Sequence, residues 1–101
     1  MSAKGKRWLA RVVQLHCIFC HRLFGPHVDT AAEAHHVREP RPGQGGQRPR
    51  NDEEVLPACP SHHRYGPLSI HMHKAALLDA CGVESEQQLL DEVRAILGEP
   101  K

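Results

Sequence analysis

Four cysteine and histidine side chains lie at a spacing that suits a zinc ion. Cys17 and Cys20 are separated by two residues, and Cys59 and His62 repeat that separation after a long gap. Zinc favours tetrahedral shells of sulfur and nitrogen, and this separation lets one turn of the chain present two ligands to one ion. The four residues therefore predict a structural zinc site, with residues 16–20 as a tight knuckle. The alternative is a set of unrelated buried cysteines.

Further histidines beside these ligands suggest a second kind of chemistry. His35 and His36 lie in the gap, and His63 follows His62 directly. Neighbouring side chains on a strand point to opposite faces, so His35 and His36 can take different roles. One imidazole can bind a divalent ion while another takes a proton from water. This combination suits hydrolysis of a phosphodiester bond.

Length and composition restrict the class of protein. The 101 residues allow one domain, spanning 1–101, and the small number of aromatic side chains allows only a modest core. A structural metal is a usual remedy at this size. Because the chain shows no long apolar run and no cleavable signal, we expect a cytoplasmic protein without a membrane partner. In that reducing compartment, paired cysteines are expected to bind metal before they form disulfides.

The charge is unevenly distributed along the chain. Residues 1–74 contain eleven Lys and Arg against six Asp and Glu, a balance of about +5, whereas residues 75–101 contain two against six, about −4. The part that carries the ligands is thus the basic part, which favours a polyanionic partner. Arg38, Arg50 and Arg64 are the candidates for contacts to DNA phosphates. The alternative is a solvated charged surface without a partner.

The elements that position these side chains are short in the first two thirds of the chain. Residues 4–16 fit either a short helix or a strand, because their periodicity does not decide between the two. Residues 34–38 and 55–58 are expected to be strands, and Pro57 favours an edge or a strand end. The Gly- and Pro-rich stretch 40–50, which includes Arg41 and Arg48, is expected to be a loop.

Two longer helices are expected in the last third. Ser69 can cap a helix over residues 70–81, with Gly82 as its end. Ser85 begins a capping box for a final helix that reaches Leu97. These helices are expected to supply most of the hydrophobic core. The pattern as a whole predicts an α+β fold, with a ligand-bearing part at 17–73 and a helical part at 74–101.

Two motifs in the ligand-bearing part resemble a known family. They are Ala34-His35-His36-Val37 and, after the loop, Asn51-Asp52-x-x-x-Leu56-Pro57-x-Cys59-x-x-His62-His63. This part resembles the HNH endonucleases of the ββα-metal (His-Me finger) class, in particular small phage and prophage nucleases related to the recombination-enhancement nuclease. The resemblance implies a zinc-stabilised, treble-clef-like ββα-metal core followed by two C-terminal helices.

The resemblance also implies a role for each matching residue. His36 matches the general base, and His35 and His63 match ligands of a catalytic divalent ion. Asp52 or Asn51 matches the residue that orients the base, although the spacing departs from the usual position of the asparagine. The family can use a further histidine as a ligand, for which His71 is the stronger candidate and His73 the weaker one.

The function implied is a metal-dependent DNA endonuclease of low sequence specificity. It would carry a structural Zn²⁺ and a catalytic divalent ion, Mg²⁺ or similar, and would act on DNA in the cytoplasm of a bacterial host, with recombination proteins as further partners. One alternative is a non-catalytic, zinc-stabilised nucleic-acid-binding module, which the irregular asparagine favours. Another is a redox protein that uses Cys17 and Cys20 as a free dithiol.

Overall fold

The computed structural model describes residues 2–39, 46 and 49–100. The described part is a small α+β fold, as predicted, with four helices and one antiparallel pair of strands. In chain order the elements are α1 (Ala3–Val13), α2 (Ile18–Phe24), β1 (Glu33–His36), β2 (Val55–Ala58), one π-helical turn (Ser61–Tyr65), α3 (Lys74–Cys81) and α4 (Glu86–Leu97). The loop predicted over 40–50 lies largely outside the described residues, and so do Arg41 and Arg48.

The first segment is a helix, which settles the choice that its periodicity left open. Ser2 caps α1, because its hydroxyl accepts a hydrogen bond from the backbone amide of Gly5 at 2.9 Å. Gly5, Trp8 and Val12 are buried on one face of α1. Their spacing of three and four residues makes that face continuous, and it packs against both strands.

The two strands form a hairpin whose register places the two adjacent histidines. His35 pairs with Leu56 and His36 with Val55. Because side chains alternate along a strand, the two imidazoles leave β1 on opposite faces. Pro57 is tolerated because each strand of a two-stranded sheet has a free edge.

The start of the third helix differs from the prediction. The helix begins at Lys74, not at residue 70, because His73 has φ −140° and ψ 51°, outside the helical region. The Ser69 hydroxyl instead accepts from the amide of Met72, within a turn. The amides of Ile70 and His71 donate to the carbonyls of His62 (2.6 Å) and His63 (3.3 Å). These bonds hold His71 against the π-helical turn.

The end of α3 and the start of α4 agree with the prediction. Gly82 ends α3 with a φ of 75°, a left-handed conformation that favours glycine. Ser85 caps α4 by accepting from the amide of Gln88. The side chain of Gln88 completes the capping box by accepting from the amide of Glu84, one residue before the expected amide of Ser85.

The core is shared more widely than the sequence suggested. Its largest fully buried side chains come from every layer of the fold and include Trp8, Phe19, Leu56, Leu77, Leu89 and Leu90. Helices α1 and α2 and the hairpin therefore contribute alongside the two C-terminal helices. Among the residues that the structure describes, none of the helices has the length and apolar character needed to cross a membrane.

Candidate metal centres and active site

Cys17, Cys20, Cys59 and His62 form one cluster, in which all ligand atoms lie within 4.8 Å of one another. The sulfur atoms of Cys20 and Cys59 are 3.8 Å apart, and His62 Nδ1 lies 3.7, 3.4 and 3.3 Å from the three sulfurs in chain order. A tetrahedron with zinc–sulfur distances of about 2.3 Å has edges of about 3.8 Å. The four side chains therefore have the arrangement of a Cys₃His shell, and they can hold a structural zinc ion.

Local structure brings the four ligands together. Cys17 is the N-cap of α2, and its sulfur accepts from the amide of Cys20 at 3.4 Å. The expected knuckle is thus the first turn of a helix. Cys59 directly follows β2, and the π-helical turn presents His62. The cluster joins the start of α2 to the end of the hairpin.

Burial shifts the protonation equilibria of the cluster. Burial raises the pKa of the Cys17 thiol to about 12 and also raises the pKa of Cys20. Burial lowers the pKa of His62, so that its imidazole is neutral and available as a ligand. A divalent cation would offset the cost of burying thiolates here. The raised thiol pKa values are the opposite of what a reactive redox dithiol needs.

A second cluster consists of His35, His63 and His71, whose ligand atoms also lie within 4.8 Å of one another. The ring centres are 5.2 Å apart for His35 and His63, 5.3 Å for His35 and His71, and 4.6 Å for His63 and His71. Burial lowers the pKa of both His63 and His71. Neutral imidazoles that converge in this way are suitable ligands for a divalent ion.

Two carboxylates contact histidines of the second cluster. Glu33 Oε1 lies 2.7 Å from His63 Nδ1, and Glu86 Oε1 lies 2.5 Å from His35 Nε2. Histidines that bind metals commonly donate their other ring N–H to a carboxylate, which fixes the ring and raises its basicity. The hydrogen bond from His63, followed by those from Arg64, holds the pKa of Glu33 below its usual value. This carboxylate is therefore ionised at neutral pH.

His36 has a carboxylate partner of its own. Its Nε2 lies 2.8 Å from Asp52 Oδ1. Asn51, the other candidate for this contact, uses its side chain within a turn, where it donates to Glu54 and accepts from the amide of Glu53. A contact of His36 with Asp52 orients the imidazole and selects which ring nitrogen carries hydrogen.

Gly5 allows Asp52 to approach α1 closely. A Cβ atom added to Gly5 would lie 3.0 Å from the Cβ of Asp52. Glycine at this position therefore leaves the space in which the partner of His36 sits.

The second cluster and His36 border one groove of about 290 Å³. Its lining residues are Ala34, His35, His36, Arg38, Arg50, His63 and His71. Two of the arginines predicted to bind DNA, Arg38 and Arg50, are thus part of this groove. The third, Arg64, donates two hydrogen bonds to Glu33 at 2.7 and 2.9 Å and stacks on Tyr65. Within the described residues, His73 is not part of either cluster.

No family model, curated protein or solved structure matches this chain. The likeness to HNH endonucleases consequently remains a resemblance of motifs. What bears on function is the placement of the two clusters and of the pair formed by His36 and Asp52.

Sequence reasoning missed both supporting carboxylates. Glu33 could have been found, because it lies two residues before His35 and therefore on the same face of β1. Glu86 gave no signal, since an acidic residue in the first turn of a helix is ordinary. Its contact with His35 depends on how α4 packs against the hairpin.

Proposed function

We propose that this protein is a metal-dependent DNA endonuclease of the HNH type, with the hairpin and the turn after it acting as a ββα-metal site. The observation that carries the proposal is the groove in which three convergent imidazoles lie beside a histidine that contacts a carboxylate. A ligand cluster and a separate base are the two components that hydrolysis of a phosphodiester needs.

His36 is the proposed general base. Its Nε2 faces Asp52, and a carboxylate can only accept a hydrogen bond, so Nε2 carries the hydrogen. Nδ1 then keeps a lone pair and can take a proton from water. Asp52 also stabilises the imidazolium that forms as the proton moves.

His35, His63 and His71 would hold the catalytic divalent cation, and three imidazoles suit a transition-metal ion better than the Mg²⁺ that the resemblance implies. When bound, that ion supplies positive charge that stabilises the phosphate and the leaving oxygen. The three side chains are close enough together to share one ion. Glu33 and Glu86 keep two of them oriented.

Contacts to phosphate rather than to bases would account for substrate binding. Arg38 and Arg50 line the groove and can reach a backbone that passes over it. Such contacts carry no sequence information, so the expected cleavage has low sequence specificity. Arg64, because of its bonds to Glu33, would act chiefly by holding that carboxylate on His63.

The direct test compares binding with cleavage in zinc-loaded protein. Supercoiled plasmid is incubated with protein that has been freed of weakly bound ions, with and without Mg²⁺ or Mn²⁺. Nicked and linear products that form only with the added ion support the proposal. DNA binding that is unaccompanied by cleavage under every ion would contradict it and favour a non-catalytic binding module.

We expect Arg50→Ala to weaken DNA binding without changing metal content. Loss of one phosphate contact should reduce the slope of log K against log salt by about 0.9. The measurement is a salt series of fluorescence anisotropy with a labelled duplex. Arg11→Ala is the matched control, because Arg11 is exposed but bonds to the carbonyl of Leu97 at the end of α4. Equal slopes for the two variants would mean that Arg50 does not contact DNA phosphate.

A further inference from the structure

Glu86 is a buried carboxylate of α4 whose side chain contacts the candidate ligand His35. It is only 4% exposed, and His35 is 6% exposed. We infer that Glu86 is a positioning residue that keeps hydrogen on His35 Nε2, so that His35 presents Nδ1 to the divalent ion. This inference rests on the proposed ion site.

The hydrogen-bonding capacity of the two groups decides the tautomer. A carboxylate only accepts, so the 2.5 Å contact requires a hydrogen on His35 Nε2. The other nitrogen, Nδ1, is buried, and no described residue forms a hydrogen bond with it. A buried polar atom without a partner calls for an explanation, and a role as a metal ligand is one that fits. His35 belongs to the cluster formed with His63 and His71, and Nδ1 is the ring nitrogen that its contact with Glu86 leaves available.

His63 has the opposite arrangement. Its Nδ1 faces Glu33 at 2.7 Å, which leaves Nε2 for the ion. The two carboxylates thus leave a different ring nitrogen available on each ligand. This nitrogen is Nδ1 for His35 on the hairpin and Nε2 for His63 on the turn that follows it. In both cases the carboxylate contacts one ring nitrogen and leaves the other for the ion.

Neighbouring groups keep Glu86 ionised and fixed. Lys74 Nζ lies 3.2 Å from Glu86 and 2.9 Å from Glu39. Glu39 in turn accepts from the amides of Glu86 and Gln87 at the start of α4. This arrangement ties β1, α3 and α4 together around one carboxylate. The helical part 74–101 therefore belongs to the ion site and does more than complete the core.

The tautomer can be measured directly in the protein without a divalent ion in the second site. Long-range ¹H–¹⁵N correlation spectra of the zinc-loaded wild type distinguish imidazoles that carry hydrogen on Nε2 from those that carry it on Nδ1. We expect the Nε2–H form for His35 and the Nδ1–H form for His63. A spectrum with His35 in the Nδ1–H form overturns the inference, whether or not the protein cleaves DNA.

The contribution of the charge is tested with Glu86→Gln, which keeps an acceptor for Nε2–H but removes the negative charge. We expect Co²⁺ to bind the second site about 10- to 100-fold more weakly than in the wild type, as followed by its visible absorption. Glu92→Gln is the matched control, because Glu92 lies on α4 but pairs with Arg22. Unchanged Co²⁺ affinity in folded Glu86→Gln contradicts the inference.

These outcomes are separate from those of the nuclease assay. A protein that shows the expected tautomers and affinities but cleaves no DNA refutes the proposed function alone. Should Glu86→Gln fail to fold, the wild-type spectrum still decides the question.

Discussion

Replacing His36 with alanine is expected to lower the rate of metal-dependent plasmid cleavage by about 10²- to 10⁴-fold, the usual contribution of a general base. The variant should still bind both ions, because His36 is in neither cluster. It should also fold, since His36 is only partly buried and its partner Asp52 can be solvated once the imidazole is gone. The measurement is the initial rate of nicking under saturating Mg²⁺ or Mn²⁺.

Two further variants make this result specific. His27→Ala removes an exposed imidazole outside both clusters and should cleave like the wild type. Asp52→Asn keeps the size of the partner but removes its charge, so its rate should fall between those of the wild type and His36→Ala. Cleavage by His36→Ala at the wild-type rate would refute the proposed mechanism, and some other group would have to activate water.

The Cys₃His cluster and the hairpin could be predicted from the sequence because both depend on short-range patterns. A separation of two residues between ligands works within one turn of chain, wherever that turn lies in the fold. Likewise, the alternation of a strand separates His35 from His36 without any knowledge of what packs on either face. The spacing could not predict that Cys17 is the N-cap of a helix. The sulfur of Cys17 both caps α2 and belongs to the metal cluster, and the sequence pattern indicates only the second role.

His71 shows why the remaining parts were harder to predict. A serine before an apolar segment indicates a helix from residue 70, yet the helix begins at Lys74. The amides of Ile70 and His71 are taken by carbonyls of the π-helical turn, and this pairing depends on tertiary packing. His71 reaches the second cluster because of that pairing. The structure thus places His71 beside His35 and His63, on a turn and not on the helix that the sequence predicted.

Glu86 illustrates the same limit for a longer distance along the chain. From the sequence alone, Glu86 is sufficiently explained as a negative charge that stabilises the N-terminus of α4. Only the packing of α4 against the hairpin brings it to His35. Local patterns thus identify candidate ligands, whereas the groups that orient them follow from how the elements pack.

The turn Ser61–Tyr65 connects the two candidate ion sites. His62 points into the Cys₃His cluster, and its neighbour His63 points into the cluster beside the groove. The second site should therefore depend on the zinc site, but the zinc site should not depend on the second site. His63→Ala should lose the second ion and keep its zinc, whereas loss of the zinc should release the turn and remove both.

Replacing Cys59 with alanine is accordingly expected to unfold the protein. A structural zinc contributes apparent binding energies of about 10–16 kcal/mol, which match or exceed the whole stability of about 5–15 kcal/mol of an ordinary domain. The small core of this chain leaves little to replace that contribution. Cys81→Ala is the matched control, since Cys81 is equally a buried cysteine but lies outside the cluster. It should bind zinc and lose only about 1 kcal/mol of unfolding free energy.

Zinc content and thermal unfolding followed by circular dichroism measure these effects. We expect Cys59→Ala to contain little zinc, to show no cooperative transition and to bind no Co²⁺ at the second site. A Cys59→Ala protein that melts like Cys81→Ala would mean that the core alone holds α2 against the hairpin. The turn would then keep His63 in place without zinc, and the coupling between the two sites would not exist.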